Sequence, residues 1–219
     1  MILTKEINRF EKNIKFKFKN KNNLLIALLH PSYIKEKKTT KNYLPNEFER
    51  LEFLGDRVLG LVISSLIFNK FKSYDEGDLT KKFSYLVQKN FLYKIALELN
   101  MDKFLKYSIK KYNKKNNISI LADSMESLIG SIFIDSGYSA VVKFIKYIWG
   151  PYLDLEASNI ADAKTMLQEI SQKKYKILPI YKLVKKEGPS HSPVFTISVE
   201  VKNLKIFKAK GSSKREAEK

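Results

Sequence analysis

Cysteine is absent from this chain of 219 residues, and histidine occurs only at His30 and His191. Without cysteine there is neither a disulfide bond nor a thiolate metal site, a composition that suits the reducing cytosol. Residues 1–6 lack the apolar stretch of a signal peptide. The longest strongly apolar region, residues 59–68, is interrupted by serines and is too short to span a bilayer. We therefore expect a soluble, cytoplasmic protein without a membrane partner.

Arginine is also scarce, because only four of the 41 basic residues are arginines and the rest are lysines. The formal net charge is nevertheless +18, and a basic surface attracts polyanions such as nucleic acids. A chain crowded with lysine, isoleucine and asparagine is also what a biased genome composition produces. Charge alone therefore leaves nucleic-acid binding and a purely compositional origin equally open.

Two regions of the chain differ in pattern, and an apolar content of 44% is enough for two modest domains. Residues 1–154 show helical periodicity in one segment after another, so we predict an all-α domain. The helical segments are residues 22–29, 47–71, 79–97, 120–134 and 138–149. Residues 155–161 are predicted to form a linker.

Residues 162–219 have a mixed pattern, which predicts a small α+β domain. A helix is predicted over residues 163–174, and β-forming residues alternate or cluster in three segments that follow it. These strand segments are residues 179–184, 194–201 and 204–210. Ser213 is a good N-cap for a last helix that is cut short at residue 219. The predicted order is α-β-β-β-α.

Acidic side chains lie on an unexpected side of the helix predicted over residues 47–71. On a helical wheel, Glu49, Glu52 and Asp56 share one side, while Arg50 and Arg57 lie well round from them. The acidic stripe continues into apolar residues, namely Leu59, Ile63 and Ile67. Carboxylates on such a stripe need a partner, because an unpaired charge is costly to remove from water.

The helix predicted over residues 120–134 repeats this arrangement with Asp123 and Glu126. Each acidic helix also has a glycine four residues after an acid, Gly60 in one and Gly130 in the other. Glycine is unfavourable inside a helix, so the two glycines suggest a close approach of two backbones. We predict that the helices cross there. The crossing would bring together four carboxylates, those of Glu52, Asp56, Asp123 and Glu126.

Four clustered carboxylates without cysteine or a nearby histidine favour a hard cation such as Mg²⁺, which can orient a water for attack on phosphorus. Ordinary acids that cap helices or pair with lysine and arginine remain an alternative. A ribonuclease that uses two histidines would need His30 and His191 in one site. Because they lie in different predicted domains, metal-assisted hydrolysis fits a nuclease of this sequence better.

The segment ERLEFLGD at residues 49–56 resembles the signature of the ribonuclease III family. Residues 28–33, 76–80 and 120–130 resemble three further blocks of that family, in the same order along the chain. The tail resembles a double-stranded-RNA-binding domain in residues 164–169, 188–195 and 211–215. The resemblance covers nearly the whole chain.

This resemblance implies a metal-dependent endonuclease that cuts double-stranded RNA as a homodimer. It implies products with 5′-phosphate and 3′-hydroxyl ends, and a role in the processing of ribosomal and messenger RNA. It also implies Mg²⁺ bound by Glu52, Asp56, Asp123 and Glu126, with Asp56 and Glu126 as the catalytic residues. Glu49 would support the site from its edge. Phe53 would pack across the dimer interface, with a position in the intrachain core as the alternative.

The tail's expected RNA contacts follow from the same resemblance. Proteins recognise A-form RNA mostly by shape, through 2′-hydroxyls in the minor groove and through phosphates. The candidate minor-groove contacts are Thr165, Gln168, Glu169 and His191, and the candidate phosphate contacts are Lys214 and Arg215. Residues 158–219 carry 14 basic and 6 acidic side chains, against 27 and 17 in residues 1–157, so the tail is the more densely basic part.

Two other classes of protein compete with the endonuclease. A double-stranded-RNA binder that has lost catalysis would explain the tail, but it would not need the four acids. A basic, ribosome-associated structural protein would explain the charge, but it would leave the paired acids unexplained. The acids at Glu52, Asp56, Asp123 and Glu126 therefore favour an active enzyme.

Overall fold

A computed structural model describes residues 4–37, 46–108, 114–154, 163–189, 193–201 and 204–218. The chain forms two compact units, residues 1–156 and 157–219. The helices of the first unit are α1 (Thr4–Ile14), α2 (Lys21–Ala27), α3 (Pro31–Lys37), α4 (Glu47–Lys70), α5 (Glu76–Val87), α6 (Lys89–Glu98) and α7 (Lys114–Trp149). Short 3-10 helices follow at Met101–Lys103 and Gly150–Tyr152. The prediction of an all-helical first domain is confirmed.

Local backbone geometry accounts for the helices whose bounds were predicted incorrectly. The segment predicted as one helix over residues 79–97 is two helices, α5 and α6, because Gln88 is extended with ψ of 151°. The two segments predicted over residues 120–149 form one element, α7, with a kink at Gly137, where φ is 78°. Glycine adopts this conformation without the strain that a β-carbon would impose.

Helices α4 and α7 form the centre of the first unit, and they are in backbone contact where they cross. A β-carbon built at Gly55 would lie 1.8 Å from the carbonyl oxygen of Glu126, and one at Gly130 would lie 2.2 Å from that of Leu51. The predicted close approach at Gly130 is therefore confirmed. The prediction for Gly60 is wrong, because a β-carbon there would meet only the ring of Phe83, at 3.7 Å.

The apolar stripe of α4 is buried as predicted, with Leu59, Ile63 and Ile67 each at most 2% exposed. Helix α7 supplies the opposing side of the core through Leu121, Met125, Leu128, Ile129 and Ile132.

The longest strongly apolar segment of the described residues lies in α7. The prediction that residues 59–68 are the longest apolar region is therefore wrong. The stretch Asn117–Tyr152 is long and apolar enough to cross a membrane by length and composition alone, and 44% of its most apolar window is buried. A core helix of a soluble protein passes the same test. Its central position in the first unit accounts for its apolar composition.

The second unit contains α8 (Ala163–Tyr175), β1 (Ile180–Glu187), β2 (Val194–Glu200), β3 (Phe207–Gly211) and α9 (Lys214–Ala217). The strands form an antiparallel sheet in the order β1-β2-β3. The predicted α-β-β-β-α order is confirmed. The first strand ends three residues later than predicted, and the third begins three residues later.

Helix α9 packs tightly against the end of β3. Ser213 is the N-cap and accepts a hydrogen bond from the amide of Glu216 at 3.2 Å, as the sequence predicts. A β-carbon at Gly211 would lie 2.6 Å from the backbone nitrogen of Ala217. The turn between the strand and the helix therefore depends on a glycine at this position.

Candidate metal centre and RNA-binding residues

The crossing of α4 and α7 brings three carboxylates to one place. Glu52 lies on α4, one residue after Leu51, whose carbonyl touches Gly130 of α7. Asp123 and Glu126 lie on the preceding turns of α7. One carboxylate oxygen from each of Glu52, Asp123 and Glu126 lies within 4.8 Å of the other two. Oxygens on opposite sides of one Mg²⁺ are about 4 Å apart, so the group has the dimensions of a single-cation site.

The electrostatics of this group favour a cation. Burial, together with the neighbouring carboxylates, foremost Asp56, raises the pKa of Glu126 from its ordinary value of 4.5 to about 8. Burial also raises the pKa of Glu52 to about 6, with Asp123 as the next largest cause. Glu52 and Glu126 are half-buried beside other acids, and the positive charge near them is too small to favour their ionised forms. The three side chains therefore fit a divalent cation held by oxygen ligands.

Asp56 is the one predicted ligand whose carboxylate points elsewhere. Its oxygen lies 2.8 Å from the guanidinium of Arg57, and Asp56 is not in the group of three. Arg57 lies well round the helix from the acids on a helical wheel, but its long side chain reaches back to the neighbouring Asp56. Asp56 nevertheless lies close enough for its charge to raise the pKa of Glu126. Its role as a ligand stays a prediction.

Lys89 contacts the acidic group, a contact that was not predicted from the sequence. Its ammonium lies 2.7 Å from an oxygen of Asp123, and this hydrogen bond raises the pKa of Lys89. Lys89 is the first residue of α6, 34 positions before Asp123, and it fell inside a segment predicted as one continuous helix. A lysine at the first position of a helix is electrostatically unfavourable and is the only sequence signal that could have indicated it.

Comparison with known proteins identifies the family. Residues 20–151 match the ribonuclease-III-like family, and residues 163–219 match the double-stranded RNA binding motif. The chain is 39% identical over 212 residues to Ribonuclease 3 of Pelagibacter ubique, covering 96% of this chain and 91% of that protein. It is 38% identical to Ribonuclease 3 of Borreliella burgdorferi, covering 97% and 87%. The chain belongs to the ribonuclease III family. It is therefore a double-strand-specific endoribonuclease.

Solved structures of the ribonuclease III nuclease domain from Campylobacter jejuni resemble the first unit. One is 36% identical with a TM-score of 0.56, and it covers 65% of this chain and 94% of that one. That structure shows flexibility in a region involved in dimer formation of its nuclease domain. A second is 33% identical with a TM-score of 0.57, and it covers 71% and 100%.

In this ribonuclease III, the remaining predicted residues of α4 are exposed. Glu49 is exposed on the first turn, and it lines a cavity with Phe53, Leu54 and Ile134. The ring of Phe53 is 65% exposed and lies under the guanidinium of Arg57, at 5.5 Å. The intrachain-core alternative for Phe53 is therefore wrong.

The second unit holds the predicted RNA contacts. Gln168 is half-buried and Glu169 exposed on α8, while Lys214 and Arg215 are exposed on the first turn of α9. Two predicted contacts, the side chain of Thr165 and the loop residue His191, lie outside the described residues.

The raised pKa of Glu126 predicts how the stability of EDTA-treated protein depends on pH. Because its folded pKa of about 8 exceeds its ordinary 4.5, the folded state binds more protons between these values. The free energy of unfolding should therefore fall as pH rises from 4.5 to 8. After a discount for partial exposure, ionisation of Glu126 should lower the free energy of unfolding by on the order of 2 kcal/mol. Urea unfolding of wild type and Glu126→Gln at pH 5 and pH 8.5 measures this loss of stability. An equal change in unfolding free energy between the two pH values in both proteins would contradict the prediction.

Proposed function

We propose that this ribonuclease III hydrolyses double-stranded RNA with Mg²⁺ held by Glu52, Asp56, Asp123 and Glu126, leaving 5′-phosphate and 3′-hydroxyl ends. The observation that carries the proposal is the group of three carboxylates within 4.8 Å of one another, two of them with pKa values raised by burial. Only oxygen ligands are present in this group, which favours Mg²⁺ over softer metals.

The acidic side chains of the proposed site have different roles. Glu52, Asp123 and Glu126 would hold the cation, and Asp56 would join them by turning away from Arg57. When bound, Mg²⁺ supplies charge stabilisation at the phosphate and orients the attacking water. Asp56 and Glu126 are proposed as the catalytic residues by resemblance to the family, and the charge of Asp56 acts on Glu126 from the other helix. Glu49 would support the site from its exposed position on the first turn of α4.

A cleavage assay tests the proposal directly. Uniformly labelled duplex RNA is incubated with the full chain in Mg²⁺, and in EDTA as the control. We expect Mg²⁺-dependent fragments whose new 5′ ends are phosphatase-sensitive and whose 3′ ends accept a nucleotide from poly(A) polymerase. Cleavage in EDTA, or fragments with 2′,3′-cyclic phosphates, would contradict the proposed metal and end chemistry.

The competing class of protein, a catalytically inactive double-stranded-RNA binder, accounts for the double-stranded RNA binding motif at residues 163–219 but not for the match of residues 20–151 to the ribonuclease-III-like family. It predicts duplex binding without cleavage under the same conditions.

By resemblance to the family, we propose precursor ribosomal RNA and structured messenger RNA as substrates, and the cytoplasm, without a membrane partner, as the location. Cleavage of total RNA from a depleted strain, mapped by sequencing of 5′ ends, tests the substrates.

We also propose that the nuclease unit acts as a homodimer through the exposed apolar side of α4. Phe53, Leu61 and Phe68 are each 60–65% exposed, and their spacing puts them within about 80° of one another on the helix. Three large apolar side chains on one helix side form a surface that a second copy would bury.

Phe53→Asp should convert a dimer into a monomer, because a charge in place of a large aromatic contact is costly to bury. We expect the dissociation constant to rise at least about thirtyfold, which corresponds to a contact worth about 2 kcal/mol. Sedimentation equilibrium measures it. Tyr147→Asp on α7, where Tyr147 is 52% exposed, is the matched control and should remain dimeric. A monomeric wild type, or a dimeric Phe53→Asp, would contradict the proposal.

We propose that α8 reads the minor groove of the RNA through Thr165, Gln168 and Glu169, and that the loop at His191 enters the next minor groove. Lys214 and Arg215 would then hold phosphates between the two grooves, since both are exposed on the first turn of α9.

Replacing both Lys214 and Arg215 with alanine should weaken duplex binding and lower its salt dependence. Loss of two phosphate contacts should reduce the slope of log K against log[salt] by about 1.5–2 and the affinity about tenfold to a hundredfold. Fluorescence anisotropy from 50 to 300 mM KCl, in Ca²⁺ in place of Mg²⁺, provides the measurement. Replacement of Lys173 and Lys174, in the last turn of α8, with alanine is the control. An unchanged slope would rule out phosphate contacts at Lys214 and Arg215.

A further inference from the structure

Lys89 makes an asymmetric ion pair with the acidic group. Its ammonium lies 2.7 Å from Asp123, and the side chain of Lys89 is 57% exposed, whereas that of Asp123 is 18% exposed. The carboxylate is therefore anchored among its neighbours, while the lysine reaches it from the surface on a flexible stem. An exposed lysine of this kind can leave its partner without any rearrangement of the core.

The stability of α6 does not explain a lysine at this position. Lys89 is the first residue of the helix, where the positive end of the helix dipole disfavours a cation. Gln88, at the N-cap, makes no side-chain hydrogen bond that would compensate. The attraction of Lys89 comes instead from the acids, because the charges of Asp123, Glu126 and Glu52 all act on its ammonium.

The same carboxylates are those that would hold the cation, so Lys89 and the cation compete for them. A divalent ion bound to Asp123 would lie within a few ångströms of the ammonium, and the two positive charges would repel each other strongly at this distance. Binding of the ion therefore requires Lys89 to release Asp123.

We propose that Lys89 is a built-in counter-ion that a divalent cation must displace, and that it thereby sets the metal affinity of the site. The inference rests on the proposed magnesium site. Lys89 is a positioning residue in this scheme, because it acts through Asp123. It neutralises the acidic group before the metal binds, and it opposes the metal as it binds.

The test is a Mg²⁺ titration of the EDTA-treated full chain at constant ionic strength, followed by calorimetry and by thermal unfolding. Lys89→Gln should bind Mg²⁺ about tenfold more tightly than wild type, because a repelling charge is gone. The same variant should unfold at a lower temperature in EDTA, because three acids lose their counter-ion. Lys89→Arg keeps the charge and should retain the wild-type affinity.

Lys94→Gln is the matched control, because Lys94 lies on the same helix and pairs with Glu98, at 3.9 Å, rather than with the acidic group. It should leave Mg²⁺ affinity unchanged. A Mg²⁺ affinity that is equal or weaker in Lys89→Gln would overturn the inference, as would an equal loss of stability with and without Mg²⁺, which a purely structural ion pair predicts. Wild type that binds no Mg²⁺ would overturn the proposed magnesium site together with the inference.

Discussion

Glu126→Gln should abolish cleavage of duplex RNA and, at the same time, stabilise the EDTA-treated protein. The substitution removes one of the three clustered carboxylates, so we expect kcat/KM to fall at least about a thousandfold. It also removes a carboxyl group whose pKa burial raises to about 8, and with it the cost of an ionised side chain among other acids. At pH 8 the melting temperature should rise by a few degrees.

Opposite changes in activity and stability distinguish a functional site from a structural one. Two variants make the comparison sharp. Asp102→Asn alters an exposed acid of the 3-10 helix Met101–Lys103, outside the acidic group, and should change neither quantity. Asp123→Asn should lose cleavage but gain little stability, because it also breaks the ion pair with Lys89 at 2.7 Å. Cleavage by Glu126→Gln at the wild-type rate would contradict the assignment, and lower stability in EDTA would contradict the electrostatic argument.

Sequence periodicity predicted the elements well where one local pattern decides the structure. Helix α4 was predicted to within one residue, because a long stripe of buried side chains repeats at the helical spacing. The break at Gln88 was not predicted, because its extended backbone joins two helices with no proline or glycine to indicate it. The third strand was predicted too early, because Leu204 and Ile206 alternate with Lys205 as in a strand but lie before Phe207, the first residue of β3.

The candidate site was predictable in its residue types but not in its geometry. Acids on an apolar stripe are detectable from one helix alone, and this identified Glu52, Asp123 and Glu126. The rotation of the Asp56 carboxylate toward Arg57 depends on side-chain torsions that a helical wheel does not contain. Lys89 reaches Asp123 only because α6 and α7 pack together, so the contact requires the tertiary structure.

The sequence did not indicate that Gly55, rather than Gly60, lies where α4 crosses α7. This difference leads to a second prediction. Gly55→Ala should destabilise the protein on the order of 3–5 kcal/mol, because its β-carbon would lie 1.8 Å from the carbonyl oxygen of Glu126. Backbone atoms cannot turn aside as a side chain can, so α4 and α7 must separate. Separation would also move Glu52 away from Glu126. Urea unfolding measures the first effect, and Mg²⁺ affinity measures the second.

Gly60→Ala is the matched control, because it makes the same substitution five residues later on the same helix. Its β-carbon would be in ordinary contact with Phe83 at 3.7 Å, so the gain in helix propensity should stabilise the protein by up to about 1 kcal/mol. The two variants should therefore change stability in opposite directions, and only Gly55→Ala should weaken Mg²⁺ binding under conditions where both are folded. Equal effects of the two substitutions would mean that the contact of α4 with α7 does not hold the carboxylates together.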